Sequence, residues 1–299
     1  MARILIPLAL AVSGLTAAGL RAQSPGVELT GELPPVLRES SGVAVSRRND
    51  GVLWTHNDSG NDPVLFAVDI TGRILGAITL ESTTVRDWED VGLGPCVHND
   101  PEYCIYVADT GDNMRLRSAY TIYIVPEPAV SPGIGVDTAT LGSVRRIDFH
   151  YPDAPHDVEG LAVAPDGDVY LVSKGWQGTA HFFVITREAV EQAVQTGDTI
   201  TAAVLEDVVV ETGGALPMLI TGAAFSPSGS VLVARSYVAF HFFDRDETGK
   251  LRARGRECVI GYREPQGEAV DFLDESTLVI TSEALYGRPG TIHRVRCDM

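Results

Sequence analysis

Short apolar runs recur along the chain in pairs, each pair split by a polar turn, and the pairs return five times. The first members are Glu39-Ser-Ser-Gly-Val-Ala-Val, Trp88-Glu-Asp-Val-Gly-Leu, Val158-Glu-Gly-Leu-Ala-Val-Ala, Thr221-Gly-Ala-Ala-Phe and Gly267-Glu-Ala-Val-Asp-Phe-Leu. The second members are Val52-Leu-Trp-Thr, Ile105-Tyr-Val-Ala, Val169-Tyr-Leu-Val, Val231-Leu-Val-Ala and Leu278-Val-Ile-Thr. Their length and β-branched content predict strands, and the intervening Asn49-Asp-Gly, Pro165-Asp-Gly-Asp and Pro227-Ser-Gly-Ser stretches are hairpin turns. Third strands are expected at Val64, Tyr120, His181, Phe240 and Thr291, and fourth strands near residues 74–80, 144–149, 204–210 and 254–260.

Many of these runs are apolar at successive positions, the pattern of sheets covered on both faces. A four-strand unit repeated around a closed ring is a β-propeller, and the all-β reading is five four-stranded blades. The fifth copy runs out of chain at Met299, so the N-terminal segment Val27 to Leu33 is expected to supply its missing outer strand and close the ring. Six blades is the alternative, because the long interval between the second and third copies has room for a degenerate one. One short helix is expected over residues 187–195, with Thr186 as its N-cap and Gly197 as its stop.

Residues 1–22 combine a short basic start, an apolar stretch interrupted by Pro7 and Gly14, and small residues near the end, which reads as a secretory signal peptide. The mature chain, residues 23–299, then holds a single propeller domain of about 55 residues per blade, slightly above the usual 40 to 50. Export to the periplasm or the exterior follows, with no membrane span left after cleavage. Four cysteines in an exported chain favour two disulfides, most simply Cys96 with Cys104 and Cys258 with Cys297, although three pairings are open. A net charge of −17 opposes nucleic-acid binding and makes cations the natural partners. The chain is expected to be a monomer.

Propeller topology brings the loop entering each first strand and the loop leaving each second strand to one face. Entering are Glu39, Asp87, Glu89, Asp90, His156, Asp157, Glu159, Thr221, Gln266 and Glu268. Leaving are His56, Asn57, Asp58, Asp109, Asp112, Arg115, Lys174, Trp176, Arg235, Tyr237 and Glu283. Carboxylates crowded in one funnel repel unless protonated or neutralised by a cation, and an all-oxygen set suits calcium. Four first strands carry a Glu, namely Glu39, Glu89, Glu159 and Glu268, and a repeated Glu at the axis has no packing reason to be there. Asp109-Thr-Gly-Asp-Asn begins like a calcium loop, but Met114 and Tyr120 stand where an EF-hand needs Gly and Glu, so that motif is rejected. No serine-hydrolase elbow, zincin helix or phosphate-binding Gly-rich loop is present. His98, His150, His181, His241 and His293 fall on hairpin loops or outer strands and read as structural.

At Glu39-Ser-Ser-Gly, Trp54-Thr-His-Asn-Asp-Ser-Gly-Asn, Asp87-Trp-Glu-Asp, Ala108-Asp-Thr-Gly-Asp-Asn and His156-Asp-Val-Glu-Gly the chain resembles a group of exported bacterial propellers of poorly defined function. More distantly, its Glu-led first strands look like those of the gluconolactonase and regucalcin family and of the β-propeller phytases, which are metal-dependent hydrolases. The lactonase resemblance implies a metal held by residues such as Glu39, Asn57, Asp109 and Asp112, though the pattern is not matched residue for residue. The phytase resemblance implies phosphate held by Lys174, Arg235 and Tyr237, although the long phytase motifs are missing.

The expected function is a calcium-dependent hydrolase of a small anionic ester, phosphoester or lactone. In that reading Glu39, Glu89, Glu159 and Glu268 hold the cation, His156 or His56 is the general base, and Lys174, Arg235 and Tyr237 face the developing negative charge. The alternatives are a non-catalytic propeller with a structural cation that binds a protein or glycan, and a glycosidase using two of the carboxylates.

Overall fold

A computed structural model describes residues 26–97, 103–131, 135–136 and 144–298 of the chain, with residues 135–136 described by backbone alone. The expected signal peptide and His98 lie outside the described residues. Five blades form a ring. Blade 1 comprises Ser40–Val45, Val52–Asn57, Val64–Asp69 and Ile74–Thr79. Blade 2 comprises Trp88–Pro95, Tyr103–Asp109, Tyr120–Pro126 and Arg145–His150, with Ile200–Thr201 added in parallel at its outer edge. Blade 3 is built from Val158–Val163, Val169–Ser173, Thr179–Ile185 and Ala203–Glu211. Blade 4 is built from Ile220–Phe225, Val231–Ser236, Ala239–Arg245 and Leu251–Val259.

Blade 5 takes Gln266–Phe272, Thr277–Glu283 and Thr291–Arg296 from the end of the chain and Gly26–Glu32 from its beginning. The N-terminal strand pairs antiparallel with Thr291–Arg296, which closes the ring as expected. The interval between the second and third copies holds a two-stranded hairpin, Val130–Ser131 with Gly135–Val136, and no sixth blade among the described residues. The helix spans Arg187–Thr196, with Thr186 accepting the Ala189 N–H and Gly197 in the left-handed region at φ 74°. Both expected disulfides form, Cys96 to Cys104 and Cys258 to Cys297, the second tying the outer strand of blade 4 to the chain end beyond blade 5.

The core follows from the apolar runs. Innermost strands such as Val158–Val163 and Ile220–Phe225 are buried at every position, because both faces of each blade meet a neighbour. Five apolar clusters result, one at each blade interface: Trp54 and Trp88 join blades 1 and 2, Phe149 and Phe183 blades 2 and 3, Phe182 and Phe243 blades 3 and 4. Phe240 with Leu278 joins blades 4 and 5, and Leu53 with Val279 joins blades 5 and 1.

Every first strand is interrupted by a β-bulge near its start, between Ser40 and Gly42, Trp88 and Asp90, Val158 and Gly160, Ile220 and Gly222, and Gly267 and Ala269. The residue after the bulge is small in four blades because the axis is crowded; a Cβ on Gly160 would stand 2.9 Å from the Ala223 Cβ. Blade 2 places Asp90 there instead. Its carboxylate crosses the axis and accepts the N–H groups of Leu161 at 2.8 Å and Ala223 at 3.2 Å, linking three blades at the centre. One layer further along the axis Asp271 accepts the Val45 N–H at 2.6 Å.

Candidate functional site

A bulge re-aims the extra residue out of the ladder, and here the five bulged residues are Ser41, Glu89, Glu159, Thr221 and Glu268. Three of the four expected Glu residues therefore share one register. Glu39 does not, which corrects the alignment: it lies two positions before the bulge, ahead of the strand, and Ser41 holds the equivalent place in blade 1. The Glu39 carboxylate is tied instead to Arg38 at 3.2 Å and to the Asn61 amide at 2.7 Å.

Glu89 and Glu159 meet in the funnel with carboxylates from the surrounding loops. Ligand atoms of Glu89, Asp157 and Glu159 lie within 4.8 Å of one another, as do those of Asp58, Asp87 and Glu89, so the two trios share Glu89. Gly111 backs this cluster. A Cβ there would stand 2.0 Å from Glu89 Oε1 and 2.4 Å from Asp87 Oδ2, so only glycine leaves the carboxylates their place. Asp157 accepts the Asp112 N–H on Oδ1 at 2.7 Å, whereas its buried Oδ2 meets no hydrogen-bond partner. Burial raises the Asp157 carboxyl above its ordinary range, although the Asp112 N–H, Lys174 and the nearby Trp176 indole act against it; the indole makes no aligned hydrogen bond to Oδ2.

Lys174 brings a positive charge directly into this field, and Arg117 acts on Asp87 from its edge. Lys174 Nζ lies 2.6 Å from Glu159 Oε1, and although burial disfavours its charge, the carboxylates of Glu159 and Glu89 more than offset that and hold it protonated. The acids show the opposite strain. Burial, then the neighbouring Glu159 and Asp58, lift Glu89 well above the ordinary range. Burial together with Asp58 and Asp157 brings Asp87 up to about 6, and burial brings Glu159 up to about 7 in spite of Lys174. At 2.6 Å the Lys174–Glu159 contact is an ion pair, and the burial that raises Glu159 is what a bound cation would counter.

A second acidic group borders the first. The Gln266 amide donates to Glu268 at 2.7 Å and to Glu283 at 2.8 Å, fixing the two carboxyls side by side. Burial, then Asp58 and Glu39, pushes Glu283 up to about 8, while burial and Glu283 push Glu268 well up. Tyr237 stands near this group, its phenol raised by burial and Glu268.

The other expected residues are placed elsewhere. His56 is fully buried, its Nδ1 against the Asn57 carbonyl and its ring edge-on to Trp88, and burial lowers it to about 4. Arg235 is also fully buried, paired to Glu264 and hydrogen-bonded to the carbonyls of Ala269 and Thr281. His156 stands beside Asp157, but its Nε2 contacts Asp153 at 3.1 Å and its ring packs on Tyr151 and Phe183. Asn57 accepts the Glu39 N–H and donates to the Val36 carbonyl. Asp109 pairs with buried Arg117 at 2.9 Å, and Asp112 accepts the N–H groups of Leu116 and Arg117 and the Tyr120 hydroxyl. These three hold loops; the cluster is completed instead by Asp58, Asp87 and Asp157.

No protein-family model matches the chain, and no curated protein matches it. Solved structures similar to it include the PQQ-bound aldose sugar dehydrogenase of Streptomyces coelicolor and a putative oxidoreductase (glucose dehydrogenase) of Thermus thermophilus. The first is 12% identical with a TM-score of 0.48, over 91% of this chain and 98% of that one. The second is 13% identical with a TM-score of 0.46, over 91% of this chain and 100% of that one. Likeness at this level brings no activity or cofactor to this chain.

Proposed function

We propose that the protein is a divalent-cation-dependent hydrolase of a small anionic ester, phosphoester or lactone, with calcium held in the funnel. The observation that carries this reading is the pair of carboxylate trios sharing Glu89, with one buried oxygen of Asp157 left unpartnered. Asp58, Asp87, Glu89, Asp157 and Glu159 are the candidate ligands. They offer oxygen only, which suits a hard cation, and the space beside Gly111 is shaped by two of them. When bound, calcium would polarise a phosphoryl or carbonyl oxygen.

The chain's own residues supply the rest. An anion does not enter a funnel of seven carboxylates facing one lysine unless their negative charge is offset, which protonation together with a bound cation would do. Lys174 sits at the junction of the two acidic groups and provides fixed positive charge for an anionic oxygen, and the Tyr237 hydroxyl is a further donor. Glu283, held by Gln266 and pushed up to about 8 by burial, Asp58 and Glu39, is the candidate to give a proton to a leaving oxygen. His56 and Arg235 take no part, since side chains with no exposed surface cannot touch a substrate.

Purified mature protein and its Glu159→Ala variant should be compared for bound calcium by elemental analysis, and then for turnover of a chromogenic phosphate ester and a lactone with calcium or chelator. Stoichiometric calcium lost in the variant, with chelator-sensitive turnover, is expected. Wild-type protein that stays free of metal in added calcium would overturn the proposal.

A further inference from the structure

Among the described residues thirteen large apolar side chains are exposed, and they divide by location. Leu29, Ile74, Tyr103, Val204, Val209 and Val259 lie within strands. The other seven all stand on loops of the funnel face. Val36, Trp176, Leu216, Tyr262 and Tyr286 rise from separate loops, while Met114 and Leu116 share the loop leaving the second strand of blade 2. Among the described residues the loops of the opposite face carry none.

Each of four such loops also carries an arginine within two residues of its apolar tip. Arg38 follows Val36, Arg115 separates Met114 from Leu116, Arg263 follows Tyr262, and Arg288 follows Tyr286. The six loops with tips contain no fully exposed carboxylate; Glu39 is half-buried on Arg38, and Asp112 and Glu264 are buried. The exposed acids on the loops of this face, Asp62, Glu81 and Asp153, stand on three of the four loops that lack a tip, 58–63, 80–87 and 151–157, while Glu32 and Glu211 end the outer strands next to two tipped loops. Charge is thus sorted with hydrophobicity around the rim. The backbone is specialised there too, since the three non-glycine residues with positive φ among the described residues, Ser82, Arg115 and Tyr286, all lie on funnel-face loops, two of them beside or at an apolar tip.

From this arrangement we infer that the funnel face docks on an anionic lipid surface, with the apolar tips entering the headgroup boundary and the adjacent guanidiniums meeting lipid phosphates. Tyr and Trp with neighbouring Arg are the side chains that settle at such an interface. A deformable surface can meet tips spread around a ring, and the arginines complement its charge. The substrate class narrows accordingly, in a step that rests on the hydrolase reading: the anionic ester is that of an amphiphile presented at the surface, its polar part in the funnel and its tail toward the crown.

Trp176 makes docking measurable, because Trp54 and Trp88 are fully buried and it alone of the three tryptophans is exposed. Its emission should be recorded, together with co-sedimentation, on phosphatidylcholine vesicles with and without phosphatidylglycerol. Chelator is included so that no cation bridges protein to lipid. A blue shift that grows with phosphatidylglycerol and falls with added salt is expected. Tyr262→Ser with Tyr286→Ser, and separately Arg263→Gln with Arg288→Gln, should each lower partitioning about tenfold or more. Ile74→Ser, at the end of an outer strand farthest from the funnel face, should not. Unchanged emission, or equal loss in all three variants, would overturn the inference, and tip-dependent binding to a protein without vesicle binding would do the same. Docking without calcium-dependent ester turnover would leave the inference standing and remove the hydrolase reading.

Discussion

Chelating the cation should make the protein's stability fall steeply with pH, and calcium should remove most of that dependence. Glu283 stands up at about 8 and fully buried Glu159 at about 7, against an ordinary 4.5 for each. Both carboxyls bind their protons more tightly when folded than when unfolded. The folded state is therefore favoured by each below about pH 4.5, and that contribution is lost as pH rises through 7 and 8. The shift at Glu283 corresponds to roughly 5 kcal/mol and that at Glu159 to roughly 3 kcal/mol at the alkaline end, not strictly additive because the groups interact. For a domain of this size, each kilocalorie moves the melting temperature by about 2 °C, so chelated protein should melt on the order of 10 °C lower at pH 9 than at pH 5. Calcium at a hundredfold excess over its dissociation constant should restore about 2.7 kcal/mol. Calorimetry at pH 5, 7 and 9, disulfides intact, measures this directly. A melting temperature in chelator that stays flat from pH 6 to 9, or that calcium does not raise, would refute the argument that these acids share one unneutralised field.

Three further outcomes are expected. Gly111→Ala should weaken calcium binding about tenfold or more in calorimetric titration while changing chelated stability little, because the new Cβ displaces only the mobile ends of Glu89 and Asp87. Glu127→Ala should cost about 3 kcal/mol or more in urea unfolding, since this buried carboxylate accepts from the Trp54 indole at 2.9 Å and from Ser46 and the N–H groups of Arg47 and Arg48; a loss below about 1 kcal/mol would remove it as the hub between blades 1 and 2. Cys258→Ser should lower stability by about 4 kcal/mol, from reopening a loop of 39 residues, and reductant should lower the wild type at least as far, since it also opens Cys96–Cys104.

The ring was legible because propeller strands announce themselves by burial on both faces, so Val158–Val163 and Ile220–Phe225 read as strands without alternation. The closing strand was legible for a related reason: blade 5 ran out of chain, and an open edge needs a partner. Composition reached less far into the site. Glu39-Ser-Ser-Gly and Val158-Glu-Gly look like the same motif, yet the shared feature is the small residue after the bulge, Gly42 and Gly160, and counting back one residue from it gives Ser41 and Glu159.

Choosing ligands among acids depends on where each oxygen is already committed, which spacing does not encode. Asp109 and Asp112 sit in the run that most resembles a cation loop, but Arg117, Leu116 N–H and the Tyr120 hydroxyl occupy their oxygens. Asp157, in a plainer context, gives one oxygen to the Asp112 N–H and keeps the other free. The loop of Asp109 and Asp112 thus acts one step behind the cluster: its backbone orients Asp157, and Gly111 between the two acids leaves room for Glu89 and Asp87. A motif search finds that loop because it is rich in acids, while the oxygens available to a cation belong to the residues it positions.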